Sequence, residues 1–454
     1  MPSFVSLSEP GPRLERVIGV GGLGCSAVNC IVGSGIFGLP GLAAAILGPA
    51  AFLAYLVCVV LIGLVGLCFA EAGSRVAGGG GLYAYATEAF GPIVGGIAGT
   101  LLWLANSVVA NAAVGNLLVD TLAAAFPSTG GGVSRFLILA TLYASLAAVN
   151  VRGARSGARL SVILAVVKIA PLVLLVAAGA FVARGSNLQW VAMPAASQVG
   201  QTAVLLFFAF MGVEGALNVS GEVTNPSRTV PRAIFLSLTL VAALYIGLQT
   251  VAQGVLGERL PGESAPLMAL ASAILGPWGT RLLFVTTLLA VAGYLSADIL
   301  GCPRVFAALA ERNQLPRAFA TVHPRFKTPA VAIGVYAVAC AAVAWTGTFR
   351  QLVIVSTSGT LMLYLICCLA VLPLRARNVA NVGAPFRAPG GPFVPLAASA
   401  IMIWLLSTLI WAELAAAASL VAVSGVAYAL QGRWRRARIG SIPQPSPAVL
   451  PGLE

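Results

Sequence analysis

The chain has 454 residues, of which 59% are hydrophobic and only 9% charged, and its mean hydropathy is +0.97. A soluble domain carries about a quarter charged residues, so the composition excludes one and indicates a polytopic membrane protein. The formal net charge of +13 invites a nucleic-acid reading, which the placement of the cations along the chain removes.

The opening segment MPSFVSLSEPGPRLER lacks the basic start, apolar middle and small-residue cleavage site of a secretory signal and reads as a short tail. Twelve apolar segments follow, each read as a crossing of a hydrocarbon core about 30 Å thick. They cover 16–44, 48–73, 91–120, 135–150, 158–183, 198–221, 232–256, 280–302, 329–346, 351–373, 392–410 and 412–431. With the N-terminus inside, 20 of the 26 Lys and Arg residues fall in cytoplasmic segments. Five fall outside (Arg135, Arg184, Arg259, Arg281 and Arg350), and Lys168 lies within a span. This is the positive-inside asymmetry, so the basic charge reports topology, with both termini cytoplasmic, rather than nucleic-acid binding.

Spans 1–5 (16–183) and 6–10 (198–373) form two blocks of similar length, followed by spans 11 and 12 (392–431) and a tail (432–454). No separate soluble domain is evident. A block of five spans followed by a second block inserts the second with opposite orientation, the geometry of an inverted repeat. The first span of each block is interrupted, by GSGIFGLPG from Gly33 and by FFAFMGVEGALNVSGE from Phe207. Glycine disfavours helix by about 1 kcal/mol and proline by about 3. Breaks in matching spans of two halves point to a midplane substrate site. The glycines also suit close helix packing.

Several polar residues stand within spans. Asn106 and Asn111 on span 3 suit either a cavity lining or interhelical hydrogen bonds. Lys168 lies eight residues past Leu160, about 12 Å along span 5, and an ionisable group there is a functional candidate. Glu214 sits in the span 6 break, and Asp298 lies on span 8. Glu222 and Arg228 at the inner end of span 6 read as a possible gating pair beside structural turn residues. The eight cysteines, in or beside apolar segments without a CxxC pair, read as small core residues. One histidine, His323, argues against a His-based metal centre or a Ser-His-Asp triad, and no P-loop GxxxxGK[ST] is present. Neither an enzyme nor a cofactor nor a resident metal is expected. A receptor or channel on the same scaffold is a remote alternative, because the polar groups are sparse and concentrated at the two breaks.

The motifs IVGSGIFGLP, GGGGLYAYATEAFGP, FFAFMGVEGALNVSGEVTNPSRTVPRAI, ILGCPRVFAALAERNQLP and FRAPGGPFVPL resemble those of the amino acid–polyamine–organocation superfamily of amino acid permeases, over nearly the whole chain. The resemblance implies an all-α membrane fold of the leucine-transporter type, with about twelve helices, a 5+5 inverted repeat and broken helices 1 and 6. It implies a secondary-active transporter of an amino acid or amine in a plasma membrane, here a prokaryotic inner membrane. By motif, the substrate carboxylate meets Ser34 and Gly35, with Gly33 supplying the bend, and the ammonium meets carbonyls of Ile31, Ala209 and Met211. Phe208 takes the aromatic lid position, with Phe207 and Phe210 as rivals. Lys168 replaces a bound sodium ion, bracing span 1 against span 8, as a proton switch or as a fixed cationic strut. Glu214 acts in gating or proton movement, or caps the unwound segment. Asp298 contacts a cationic substrate, or pairs with Lys168 or Arg304. Proton symport and substrate exchange both remain open, and so does the oligomeric state.

Overall fold

The structure is a computed structural model, described here for residues 19–33, 35–76, 81–152, 158–190, 192–212, 226–311, 317–326, 328–380, 385–419, 421, 422 and 426. Among these residues every regular element is helical. Within the described residues each of the twelve predicted spans is largely helical. In chain order they are α1 (Val20–Ile31), α2 (Gly35–Leu47), α3 (Phe52–Arg75), α4 (Gly81–Phe90), α5 (Pro92–Leu101), α6 (Ala110–Ala125) and α7 (Gly132–Val151). There follow α8 (Ala158–Val182), α9 (Ala196–Phe210), α10 (Pro226–Leu256), α11 (Pro266–Glu311), α12 (Ala330–Thr346), α13 (Phe349–Ala376) and α14 (Phe393–Ser407). Residues 411–419 are helical at the position of the twelfth span. Six stretches are by themselves long and apolar enough to cross a membrane, and four shorter apolar helices accompany them.

Three details depart from the sequence expectation. Proline 40, expected to help break span 1, lies inside α2. Because α2 starts at Gly35, Pro40 removes only the bond its missing N–H would make to Ile36, and the helix continues through it. The segment between spans 2 and 3 carries the short helix α4, and the run assigned to 280–302 extends over Pro266–Glu311. That run turns sharply at Gly276 (φ 63°, ψ −151°). Between α5 and α6, residues Leu102–Val109 form a π-helical segment, a geometry that recurs at functional sites.

The chain divides into two compact units that ignore the block boundaries. One comprises the described parts of Met1–Ala89, Ser156–Ala290 and Tyr364–Thr408; the other those of Phe90–Arg155, Val291–Leu363 and Leu409–Glu454. In the first, α10 packs against α1, α3 and α8, while α9 packs against α2, α3 and α14. Its interior holds T-shaped aromatic pairs, Phe69 with Tyr364 at 4.9 Å and Phe210 with Tyr245 at 5.2 Å. In the second, α12 packs against α6, α7 and the π-helical segment. The first unit thus holds spans 1, 2, 6 and 7 and the second holds spans 3, 4 and 9, with span 8 divided between them after Ala290.

Candidate functional site

The break in span 1 is real and short. Helix α1 ends at Ile31, Val32 leaves helical geometry (φ −72°, ψ 70°), and Gly33 donates its N–H to Ile31 O at 2.7 Å. Helix α2 then begins at Gly35, buried from its first residue through Gly41. The first four N–H groups of a helix have no intrahelical acceptor, and its last four carbonyls no intrahelical donor. Two short helices meeting here therefore bring donors and acceptors into one buried place.

The break in span 6 lies beside it. Helix α9 ends at Phe210, Met211 is extended (φ −68°, ψ 159°), and Gly212 has φ 109°, a conformation that a side chain rarely allows. A Cβ built on Gly35 would stand 3.0 Å from Ala209 Cα, 3.1 Å from Ala209 Cβ and 3.2 Å from Phe208 Cδ1. The start of α2 is thus pressed onto the end of α9, and a side chain at position 35 would make Ala209 and Phe208 give way. Of the three aromatic candidates, Phe207 packs edge-on to Tyr364 and Phe210 to Tyr55 and Tyr245, all core pairings. Phe208 is the ring that abuts Gly35.

The predicted acceptors Ile31 and Ala209 converge on one atom. Tyr245 Oη, fully buried on α10, lies 3.1 Å from Ile31 O and 3.1 Å from Ala209 O, donating its single proton between them. The sequence reading missed Tyr245. Its signal was a tyrosine inside an apolar span, whose hydroxyl needs a partner when buried. Ile31 O also accepts the Gly33 N–H at 2.7 Å, so both of its lone pairs are engaged in this arrangement. A Y245F protein is expected to lose about 1–3 kcal/mol, because a buried carbonyl is left under-satisfied. Initial uptake rates in proteoliposomes should show a raised KM with a smaller change in kcat.

Lys168 lies on α8, is 6% exposed, and belongs to the first unit, where α8 packs against α1. Ser34, Glu214 and Glu222 lie outside the described residues, as do the side chains of Arg228 and Arg304.

In the second unit, Asn106 is half-buried within the π-helical segment. Asn111, on α6, is fully buried and donates from Nδ2 to Asp298 Oδ2 at 2.8 Å. Tyr336 on α12 donates its hydroxyl to the same oxygen. Tyr143 on α7 donates to Asn111 O at 2.9 Å. Asp298 thus meets two neutral donors, neither of which the sequence reading had paired with it.

A second polar cluster went unread altogether. Glu71 on α3 is fully buried and accepts from Arg75 Nε at 3.0 Å and Nη2 at 2.8 Å, from Arg375 Nε at 2.6 Å and from Ala388 N at 2.9 Å. Arg75 and Arg375 had been counted as loop cations. Arg75 is instead 2% exposed, and Arg375 18%. The available signal was the Glu71/Arg75 spacing of four within one helix.

Many apolar helices, two interrupted helices meeting at a buried array of backbone donors and acceptors, and ionisable groups within the spans define a multi-pass membrane transporter. The sequence profile described as "Amino acid permease" matches residues 22–430, and the chain belongs to that family. It is therefore a transporter and not an enzyme. It is similar to the methylthioribose transporter of Bacillus subtilis (strain 168), with 25% identity over 89% of this chain and 91% of that one. It is similar to the serine/threonine exchanger SteT of the same organism, with 29% identity over 84% and 89%. The branched-chain amino acid permease BcaP of that organism is 24% identical over 90% and 91%. Amino acid transport is the activity that the family and the last two of these relatives support.

Proposed function

We propose that the protein is a sodium-independent, proton-coupled amino acid symporter working by alternating access. The observation that carries this reading is the meeting of the two breaks. The N-terminal donors of α2 stand against Ala209, whose carbonyl converges with that of Ile31 on Tyr245. Donors beside acceptors match the two charges of a zwitterion: the helix N-terminus favours a carboxylate, and the carbonyl ends favour an ammonium. In this reading Gly33, Ser34 and Gly35 hold the carboxylate, Ile31, Ala209 and Met211 the ammonium, and Phe208 covers them. Asn106 lines the path of the substrate side chain.

Alternating access is supported by the division into two units, each drawing spans from blocks 16–183 and 198–373 of an inverted repeat. The sidedness of the cations supports cytoplasmic termini, and the bacterial relatives support an inner membrane. The buried Lys168, on a helix packed against α1, supports a fixed or titrating cation in place of sodium, with Glu214 as a gating group. Exchange is the second reading, favoured by the exchanger among the relatives. With Asp298 as a side-chain contact, the exchanger would take a cationic substrate.

Reconstitution into liposomes with labelled amino acids and polyamines separates the two. Symport predicts accumulation driven by an inward pH gradient, whereas exchange predicts uptake only with internal substrate. A K168A protein is expected to lose gradient-driven accumulation. Unchanged accumulation by that variant would remove Lys168 from coupling.

A further inference from the structure

Three polar groups in the second unit, Asn111 and Tyr336 buried and Asp298 half-buried, count out unevenly. Asp298, Asn111 and Tyr336 meet within the membrane-spanning helices α11, α6 and α12. An ionised carboxylate offers two oxygens, each only an acceptor, and an amide offers one acceptor and two N–H donors. Both donors reaching Asp298, Asn111 Nδ2 and Tyr336 Oη, converge on Oδ2. The fully buried Oδ1 of Asn111 has no hydrogen-bond partner among the described residues. The third hydroxyl close by, that of Tyr143, is committed to the backbone carbonyl of Asn111. The cluster is therefore short of a donor on the side where Asn111 Oδ1 is stranded.

A proton on the carboxyl group supplies such a donor. A carboxylic acid and a primary amide are complementary: the amide N–H donates to one carboxyl oxygen, and the carboxyl O–H donates to the amide oxygen. Leaving a buried acceptor unmade is unfavourable, and so is holding a carboxylate charge within a span. Binding one proton removes the charge and fills the empty acceptor. The surroundings offer no rival cation among the described side chains. They are the phenols of Tyr143 on α7, Tyr294 on α11 and Tyr336 on α12, and the thiols of Cys302 on α11 and Cys340 on α12. Ser107 of the π-helical segment stands beside Cys302. Arg304 is six residues further along α11, with its side chain outside the described residues.

We propose that Asp298, with Asn111 and Tyr336, is an intramembrane proton-binding site, loaded by one proton on carboxyl Oδ1 and discharged as Asp298 returns to the carboxylate. It deepens the symport reading above and rests on it only for the claim that the proton is a transported ion.

Infrared difference spectroscopy of the wild-type protein in lipid, between alkaline and acid buffer, tests the site directly. The expected result is a carbonyl band of a protonated carboxylic acid that is absent from D298N. In Y336F its midpoint should move to higher pH, because the lost hydroxyl donor stabilises the charged carboxylate more than the neutral acid. No such band in wild type, or the same band in D298N, overturns the proposal. In proteoliposomes D298N should lose accumulation driven by a pH gradient at least tenfold, and D298E, which keeps a titratable carboxyl group, should regain part of it. Accumulation by D298N equal to wild type overturns the proposal. A changed substrate preference of D298N, with coupling intact, also overturns it in favour of a side-chain contact. Wild-type protein that never accumulates substrate under a pH gradient defeats symport instead, while the infrared band still decides whether Asp298 takes a proton.

Discussion

A Gly35→Val protein is expected to lose transport by roughly two orders of magnitude while still inserting in the membrane. The added carbon would meet Ala209 Cα at 3.0 Å, and a backbone atom on a packed helix cannot turn aside as a flexible side-chain tip does. Overpacking of this kind costs about 1–3 kcal/mol, and that strain falls on the contact between α2 and α9. Relief requires α2 to move off α9, which separates the α2 N-terminus from the Ala209 carbonyl. The zwitterion cradle is then lost even where the fold survives. Gly35→Ala should fall between wild type and valine, because its single methyl meets the same atoms without a branch. Gly63→Val on α3 is the control: its Cβ position has nothing within 4 Å, and transport should stay near wild type. Initial uptake rates at matched protein level, with thermal unfolding in detergent, separate lost binding from lost folding.

The contrast between these two glycines shows what the sequence carried. Helix positions were legible because about 20 apolar residues in a row leave few alternatives. The interruption of span 1 was legible because glycines cluster there. Its exact place was not, since Pro40 stands close enough to the start of α2 to be absorbed. Phe208 could not be separated from Phe207 and Phe210 by composition. Packing separates them, because two of the rings are tied to Tyr364, Tyr55 and Tyr245.

The polar pairings were hidden for a different reason. Asn111 and Asp298 are 187 residues apart in sequence, and Glu71 and Arg375 are 304 apart. Local pattern says that a buried acid needs donors but not which distant helix supplies them. Asn106 and Asn111 read alike on span 3, yet it is Asn111 that carries the contact to Asp298. Tyr245 read as one more aromatic in an apolar run until two helix ends closed on its hydroxyl.

Glu71→Ala is expected to be the most destabilising single change in the first unit. The substitution leaves the Arg75 and Arg375 guanidiniums, 2% and 18% exposed, without the carboxylate that both use. Removing one partner of a buried ion pair costs about 3–5 kcal/mol, because the remaining charge stays desolvated. The cost here also falls on the chain after α13. Glu71 Oε2 takes the Ala388 N–H, Arg75 holds Val379 O at 3.2 Å, and Ser74 Oγ accepts from Phe386 N at 3.0 Å. Without Glu71 the first of these ties goes directly and the second loses its positioned guanidinium. Trypsin should then cut after the exposed Arg387 faster in the variant than in wild type. Arg375→Met removes one of the stranded charges, so Glu71→Ala combined with it should cost less than the two single changes added together. A coupling energy of about 0.5–3 kcal/mol is expected from thermal unfolding of the four proteins. Additive effects would mean that Arg75 alone satisfies Glu71. A coupling in this range makes the three side chains one unit that fixes the segment from Val379 to Ala388 against the end of α3.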